Sequence, residues 1–337
     1  MRPRVGFAGL GWIGRHRLGA IAAGGAVEIA ALQDPVPEAR NSAAALAPGA
    51  LHVERFEALL SLDLDGVVIA SPSALHAPQS LAALASGAAV FCQKPLGRTA
   101  EEARHVVARA RAGDRLLAVD LCYPHTGAIR AMRAEVDAGT IGTVFAADFT
   151  FHNAYGPDKP WFRDIAQAGG GALMDLGTHL VSLALDFHGV PPRSVSAELY
   201  ADGRRLDAPG LEDYATATLT FPGGATARVA CSWNLHAGQD AVIAFDLHGT
   251  SGGLSFRNRA GSFYDFEARL HRGTSSHVIA APPDDWGGRA AAEWARRLAA
   301  GAGFDAKAER LVTLSETLER IYRAGFADMP EPARALP

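Results

Sequence analysis

The chain of 337 residues is 48% hydrophobic and 20% charged, which is typical of a soluble globular protein with one large or two ordinary domains. Its net charge of -4 disfavours binding to nucleic acid or to an anionic membrane surface, since those partners attract basic proteins. We expect no transmembrane helix and no secretory signal, because no apolar run is long enough and residues 1–7 lead directly into a strand. Three widely spaced cysteines predict reduced thiols and a cytoplasmic location.

The first 121 residues alternate continuous apolar runs with helical patterns. The apolar runs predict strands at 4–9, 27–33, 50–53, 66–71, 88–93 and 116–121. Helices are predicted between them at 12–23, 36–46, 56–61, 75–86 and 100–112. Strands that are apolar on both faces and joined by helices indicate a doubly wound parallel sheet, so residues 1–121 form the first domain of an α/β chain.

The pattern changes in residues 122–337, which we expect to form a second, α+β domain. Helices are predicted at 125–138, from the triple glycine at 169–171 to 188, at 286–300 and at 306–326. Strands are predicted at 143–152, 194–200, 213–221, 225–234, 240–248 and 262–270. The later strands alternate strictly and are separated by turns such as Pro222-Gly223-Gly224, which predicts a mostly antiparallel sheet.

A glycine motif stands between the first predicted strand and helix: Gly9-Leu10-Gly11-Trp12-Ile13-Gly14. In GxGxxG the glycines permit a tight turn, close approach of a pyrophosphate and close helix packing, while the helix N-terminus attracts the phosphates. Asp34 ends the second strand, where a carboxylate binds the adenosine ribose and repels a 2′-phosphate. We therefore predict bound NAD, with NADP disfavoured, although Asp34 could instead cap the next helix.

Two further strand ends carry candidate cofactor contacts. Ser71-Pro72-Ser73 follows the fourth strand, where small and hydroxyl residues line a cofactor crevice, and His76 is either another contact or an ordinary helix-start residue. The fifth strand ends in Gln93-Lys94-Pro95, and lysine is unusual at the end of a buried strand. Lys94 is either a solvated strand end or a lysine fixed at the mouth of a cleft, with the proline in a cis bond.

Asp175 and His179 stand four residues apart in an apolar helical run after the triple glycine. This spacing puts both side chains on one helix face, and polar groups among core residues are costly unless they are used or paired. The pair is a structural hydrogen bond, part of a catalytic site, or a pair of metal ligands. Without HExxH or a further ligand at a recognised spacing, no metal is predicted.

Together these motifs resemble the Gfo/Idh/MocA oxidoreductases, which include glucose–fructose oxidoreductase and inositol dehydrogenases. The resemblance covers essentially the whole chain and implies a Rossmann domain followed by a domain with a large open sheet that forms homodimers or homotetramers. It implies that Lys94, Asp175 and His179 are the catalytic residues: His179 is the acid/base, Lys94 hydrogen-bonds the reacting oxygen and Asp175 binds the substrate. Gln93 departs from the family, because glutamate usually stands there, near the nicotinamide ribose.

The resemblance also implies a substrate, namely a sugar, cyclitol or sugar derivative that is oxidised or reduced at a CH–OH carbon with NAD. Candidate substrate contacts are Tyr123 and His125 after the last Rossmann strand, and Trp161 and Arg163 before the triple glycine. Each of these could instead be a packing residue. Two other functions known in the family stay open, an NAD-dependent glycosidase and a non-catalytic dinucleotide-binding regulator.

Overall fold

The computed structural model describes residues 1–284 and 286–326. By its internal contacts the chain divides into two compact units. The first unit comprises Met1–Thr126, Ala166–Gly169 and the described residues of 286–315; the second comprises Gly127–Ile165, Gly170–Asp284 and 316–326. The last residues of the predicted second domain, 327–337, lie outside the described residues.

The first unit contains a parallel sheet of six strands in the order β3-β2-β1-β4-β5-β6. The strands are β1 (Arg4–Ala8), β2 (Glu28–Gln33), β3 (Leu51–Val53), β4 (Gly66–Ile69), β5 (Ala89–Cys92) and β6 (Leu117–Val119). The helices between them are α1 (Trp12–Gly24), α2 (Pro37–Ala44), α3 (Phe56–Leu60), α4 (Ser73–Ala85) and α5 (Ala100–Ala112). This order defines the Rossmann fold, with its topological switch point between β1 and β4, and confirms the predicted fold class.

The second unit contains a sheet of nine strands in the order β15-β14-β13-β12-β7-β11-β10-β8-β9. Its strands are β7 (Val144–Asn153), β8 (Ser194–Ala201), β9 (Arg204–Arg205), β10 (Tyr214–Thr220), β11 (Thr226–Ser232), β12 (Ala241–Gly249), β13 (Gly253–Asn258), β14 (Phe266–Arg272) and β15 (Ser275–Ala280). Every pair is antiparallel except β7 with β11, so the prediction of a mostly antiparallel sheet is confirmed.

The remaining helices follow in chain order. They are α6 (Gly127–Asp137), α7 (Ile165–Ala168), α8 (Thr178–His188), α9 (Arg289–Ala299) and α10 (Arg310–Gly325). Short 3-10 helices lie at Tyr123–His125, Pro160–Arg163, Pro222–Gly224 and Ala306–Glu309, and a π-helix lies at Leu173–Gly177. In the part of the chain that the structure describes, no helix is both long and apolar enough to cross a bilayer.

Helix α9 belongs by its packing to the first unit, although it lies far beyond residue 121 in the chain. Its Trp294 is 1% exposed and packs against Phe91 of β5, with ring centroids 5.9 Å apart. Ala291 of the same helix joins this core with Phe7 of β1 and Val68 of β4. The first unit is therefore completed by residues from late in the chain, and the domain ranges 1–121 and 122–337 stay a prediction.

Several second-half elements differ from their predicted bounds. Strands β9, β13 and β15 are additional, and the strand predicted at 262–270 runs instead from Phe266 to Arg272. The helix predicted at 306–326 starts as a 3-10 turn before α10 begins at Arg310. The helix predicted at 125–138 begins only at Gly127, because the 3-10 turn Tyr123–His125 with its proline precedes it.

Candidate functional site

The glycine turn after β1 fits a bound dinucleotide, because Gly9 and Gly14 are tightly packed while Gly11 borders open space. Gly9 has φ +88°, and a Cβ there would lie 2.5 Å from the Ala70 carbonyl carbon across the switch point. A Cβ on Gly14 would overlap the Gly9 carbonyl oxygen, whereas a Cβ on Gly11 would meet nothing within 4 Å. Gly11 therefore borders open space at the start of α1, where Trp12 is exposed and backbone N–H groups can face a phosphate.

Asp34 lies beside this turn and is engaged by the backbone. Its Oδ2 accepts a hydrogen bond from Leu10 N at 2.8 Å, and its Oδ1 accepts one from Val36 N at 2.9 Å. Helix α2 has Val36 as its N-terminal cap and no side-chain capping bond, so Asp34 is not the capping residue. Asp34 thus ties the glycine turn to the end of β2, and its contact with a cofactor ribose stays a prediction.

The predicted contacts after β4 form a network with the strand end at Lys94. His76 is 1% exposed, with Nδ1 2.6 Å from the Pro95 carbonyl and Nε2 2.8 Å from the Ser71 carbonyl. Two carbonyl acceptors favour a doubly protonated ring, but burial has the larger effect and lowers the pKa of His76. Ser71 donates to Gln79 Oε1 at 2.6 Å, and Ser73 is buried at the start of α4 next to Pro72. Cofactor contact by Ser71, Pro72, Ser73 and His76 remains a prediction.

Lys94 is the only residue between Ala88 and Gly97 that is not buried. The peptide bond from Lys94 to Pro95 is cis, as predicted. Burial raises the pKa of the neighbouring Cys92 and Cys122 thiols to about 12, so both remain protonated near neutral pH. Lys94 is therefore the one reactive side chain that this buried strand end leaves accessible.

In the second unit, Asp175 lies in a π-helix, Leu173–Gly177, and not in the regular α-helix that the sequence predicts. His179 lies in the first turn of α8, which follows directly and begins at Thr178. Asp175 is the only residue between Gly170 and Leu185 that is not buried, while His179 is 9% exposed. The π-helix is a rare geometry that is frequent at functional sites, and it sets the direction in which Asp175 points.

A buried carboxylate that the sequence motifs did not predict holds this π-helix. Glu212 is 0% exposed; it accepts hydrogen bonds from Leu173 N at 2.8 Å, from Gly171 N at 3.1 Å and from Tyr322 Oη at 2.9 Å. Burial, which outweighs these bonds, raises the pKa of Glu212 to about 7. A Cβ on Gly171 would overlap the Glu212 carbonyl oxygen, and one on Gly170 would overlap Tyr322 Oη. Gly170 and Gly171 are thus needed for close packing around Glu212 and Tyr322.

A cavity of about 450 Å³ lies in the second unit, and Trp233 is one of its lining residues. Its walls include three aromatic rings and several polar groups: Tyr200, Tyr214, Trp233, Asp202, Asp213 and His236. Trp233 connects it to Asp175, since Nε1 of Trp233 donates to Asp175 Oδ2 at 3.1 Å. Aromatic faces combined with a few polar groups are typical of small-molecule sites.

The predicted pocket segment with Trp161 and Arg163 lies beside this cavity. Trp161 stacks on Phe162 at 3.8 Å between ring centroids, and Phe162 meets the edge of Trp233 at 6.3 Å. Arg163 and the cavity residue Asn234 both adjoin Gly156, where a Cβ would lie 3.1 Å from the Arg163 guanidinium. The structure therefore brings this segment to the cavity wall in the second unit.

The other two predicted substrate contacts lie in the first unit. Tyr123 is buried and stacks on Trp286 at 6.1 Å, and burial raises the pKa of its hydroxyl well above the ordinary value. His125 is half-buried, and its carbonyl accepts a hydrogen bond from Arg289 at 3.1 Å. A substrate contact by either residue stays a prediction. Among the described residues, no cluster of three or more His, Cys, Asp or Glu side chains could hold a metal ion.

Two family models match most of the chain. The model described as an oxidoreductase family with an NAD-binding Rossmann fold matches residues 3–121, and the GFO/IDH/MocA C-terminal domain matches residues 129–255. The chain belongs to the Gfo/Idh/MocA family, which confirms the resemblance seen in the motifs.

Similar proteins include named reductases. The chain is 31% identical to 1,5-anhydro-D-fructose reductase of Ensifer adhaerens over 198 residues, 58% of each chain, so the match spans little more than half of that relative. It is 33% identical over 312 residues to dTDP-3,4-didehydro-2,6-dideoxy-alpha-D-glucose 3-reductase of Streptomyces violaceoruber, covering 90% of this chain and 88% of that one. Among solved structures, GenD2 from gentamicin A biosynthesis in complex with NAD has a TM-score of 0.78 and 26% identity, covering 97% of this chain and 95% of that one.

Proposed function

We propose that this protein is an NAD-dependent oxidoreductase that interconverts a secondary alcohol and a ketone, or a lactol and a lactone, on a sugar, cyclitol or sugar derivative. The observation that carries the proposal is the open space at Gly11, at the switch point of a Rossmann sheet in a chain of an oxidoreductase family. The names of similar proteins, a reductase of 1,5-anhydro-D-fructose and a 3-reductase of a dTDP-linked sugar, support the substrate class.

NAD is the proposed cofactor, with NADP the weaker ligand. The carboxylate of Asp34 lies on the Leu10 backbone of the glycine turn, where it repels a 2′-phosphate. The nearest following cation, Arg40, donates to the Asp34 backbone carbonyl. A dissociation constant for NADH well below that for NADPH would support this preference, and the reverse order would contradict it.

The proposed chemistry gives one role to each of three side chains. When bound, the nicotinamide ring accepts a hydride from the substrate carbon or returns it. His179 accepts the hydroxyl proton during oxidation, a role suited to imidazole because it ordinarily titrates near neutral pH. Lys94 donates a hydrogen bond to the same oxygen and stabilises its developing negative charge. Asp175 holds a neighbouring hydroxyl and so fixes which carbon reacts.

The proposed substrate contacts lie in the cavity that Trp233 lines, and Trp233 is hydrogen-bonded to Asp175. Aromatic rings pack on the C–H faces of a sugar, and carboxylates accept hydrogen bonds from its hydroxyl groups. The cavity offers Tyr214 and Trp233 for the first contact and Asp202 and Asp213 for the second. Trp161 and Arg163 extend this wall, and Tyr123 and His125 are further proposed contacts.

A substrate screen tests the proposal. NADH formation is measured with aldoses, inositols, sugar acids and anhydrosugars for the wild type and for His179→Ala. We expect NADH with at least one of these compounds and a large loss in the variant. Wild type that binds NAD but neither forms NADH with a polyol nor reduces a ketosugar would contradict the proposal. Glycoside cleavage without net NADH would identify the glycosidase alternative instead.

We further propose that copies of the chain associate through the large sheet as homodimers or homotetramers. Thr150 of β7 is half-buried between Ala230 and Ala244 on neighbouring strands, which gives the middle of that face small side chains. Light scattering of wild type and Thr150→Arg tests this, since a charged side chain there is expected to dissociate the oligomer. Three free cysteines support a reducing, cytoplasmic environment.

A further inference from the structure

Three buried side chains of the first unit form a hydrogen-bonded chain beside Lys94. Arg17 of α1 donates from Nε to Asp120 Oδ2 at 2.6 Å, and Gln93 donates from Nε2 to the same oxygen. Arg17, Gln93 and Asp120 are 5%, 7% and 2% exposed. Gln93 and Asp120 directly follow the adjacent strands β5 and β6, and Asp120 N donates to the Cys92 carbonyl at 2.9 Å.

The carboxylate of Asp120 determines which way the Gln93 amide faces. An ionised carboxylate only accepts hydrogen bonds, so the NH₂ group of Gln93 must face Asp120 and the carbonyl oxygen Oε1 must face away. Arg17 stabilises the charge of Asp120, since an ion pair is the usual partner of a buried charge. Glutamine can flip its amide at little cost in other surroundings, but here the flip would set two acceptors against each other.

Two acceptor atoms of this network have no donor among the described residues. No hydrogen bond reaches Gln93 Oε1, and Asp120 Oδ1 is fully buried without a partner. A buried acceptor without a donor is costly, and such atoms commonly mark the place of a ligand group. Asp120 Oδ1 is enclosed, so Gln93 Oε1, next to the accessible Lys94, is the acceptor that a ligand can reach.

We propose that Asp120, held by Arg17, is a positioning residue that presents Gln93 Oε1 as a hydrogen-bond acceptor for a ligand hydroxyl beside Lys94. The hydroxyl belongs to the dinucleotide or to the substrate, and the inference rests on the proposed function. Gln93 and Asp120 together carry one negative charge, which lies on Asp120. The uncharged Gln93 amide acts as the fixed acceptor.

This arrangement makes the two residues interdependent. Glutamate at position 93 would place a second carboxylate against Asp120, and two adjacent carboxylates cannot both ionise without a large cost. Asparagine at position 120 keeps an oxygen in the place of Oδ2, where one atom accepts from both Arg17 and Gln93, so it preserves the orientation of Gln93. Leucine at position 120 removes this acceptor and leaves the Gln93 amide without a fixed orientation.

The experiment measures the NADH dissociation constant, the substrate KM and the melting temperature of wild type, Gln93→Glu, Asp120→Leu and, as the matched control, Asp120→Asn. Gln93→Glu and Asp120→Leu are each expected to weaken NADH binding or raise KM by about tenfold, the effect of one hydrogen bond. Asp120→Asn keeps the oxygen that orients Gln93 and is expected to stay within about threefold of wild type. An effect on NADH assigns the hydroxyl to the dinucleotide, and an effect on KM alone assigns it to the substrate.

Gln93→Met provides an independent variant, because it keeps the side-chain size and removes the acceptor. It is expected to reproduce the tenfold loss without leaving two carboxylates in contact. Equal losses in Asp120→Asn and Asp120→Leu, or melting temperatures that fall while NADH binding and KM stay unchanged, would overturn the proposal. Wild type that binds NADH, with all variants equal to it, would refute this inference only. Wild type that binds no dinucleotide would overturn the proposed function and this inference with it.

Discussion

Trp233 donates a hydrogen bond from its indole Nε1 to Oδ2 of Asp175 at 3.1 Å. Trp233 is 5% exposed and lines the cavity of the second unit, so one side chain both forms the cavity wall and orients the carboxylate. Asp175 itself stands on the π-helix that Glu212 holds. Its direction is therefore fixed from two sides, by the indole and by the backbone beneath it.

Trp233→Phe keeps most of the ring and removes the N–H donor. We expect kcat/KM for the sugar substrate to fall about tenfold, because a hydrogen bond to a carboxylate is lost, while NADH binding is unchanged. Steady-state kinetics and NADH titration measure the two effects. Trp294→Phe is the matched control, since its buried Nε1 has no partner among the described residues and its loss should affect stability only. Equal kinetic losses in both variants would contradict the role of Trp233.

Glu212 predicts a pH-dependent stability. Its pKa is raised to about 7 in the folded protein against an ordinary value of 4.5, so the folded state binds the proton more tightly. Its contribution to stability is present below about pH 4.5 and is lost as pH rises through about 7. Glu212→Gln cannot titrate in this way. Between about pH 4.5 and pH 7 and just above, the free energy of unfolding of wild type should therefore fall by about 3 kcal/mol relative to that of the variant.

Urea unfolding of both proteins at several pH values measures this difference. Tyr322→Phe keeps the carboxylate and removes one donor, so it should extend the loss of stability to higher pH. Unfolding free energies of wild type and Glu212→Gln that run parallel across the pH range would show that the carboxyl group does not titrate in this window.

Alanine substitutions at Gly11 and at Gly14 of the glycine turn should have different effects. Gly11→Ala should fold with an unchanged melting temperature but bind NADH at least about tenfold more weakly, because its Cβ projects into open space. Gly14→Ala should lose stability, since its Cβ would overlap the Gly9 carbonyl. Thermal melts and NADH titrations distinguish the two. Tight NADH binding by Gly11→Ala would place the dinucleotide elsewhere.

His179→Asn tests the proposed acid/base. We expect kcat to fall by about 10² to 10⁴, the usual contribution of general acid–base catalysis, with NADH binding intact. A variant that retains wild-type kcat would transfer the proton acceptor role to another group.

The Rossmann half could be predicted from the sequence almost element by element, because its strands are apolar on both faces and its turns contain glycine. The second half was harder. Strand β15, Ser275–Ala280, lies at the edge of the sheet with mostly exposed side chains, so no apolar alternation marks it. Gly253 at the start of β13 resembles a turn residue. The amphipathic pattern of α9 predicts a helix but does not tell which sheet it covers.

The candidate site was also predicted only in part from the sequence. The motifs predicted Lys94, Asp175 and His179, but Glu212 was missed because its partners are backbone N–H groups about 40 residues away and Tyr322 far along the chain. Asp120 carried a usable signal, an acid inside the apolar run of the last strand. Its hydrogen bond from Gln93 depends on β5 and β6 lying side by side, which a sequence pattern does not specify.

Hydride transfer between a sugar carbon and nicotinamide is the core of the proposed function, and isotope transfer measures it without intermediate steps. A substrate from the screen, labelled with deuterium at the carbon to be oxidised, is incubated with NAD and the wild-type protein. We expect the deuterium to appear on C4 of the NADH formed, and His179→Asn to form far less of it. Deuterium found only in solvent, or sugar conversion with unlabelled NADH, would contradict hydride transfer.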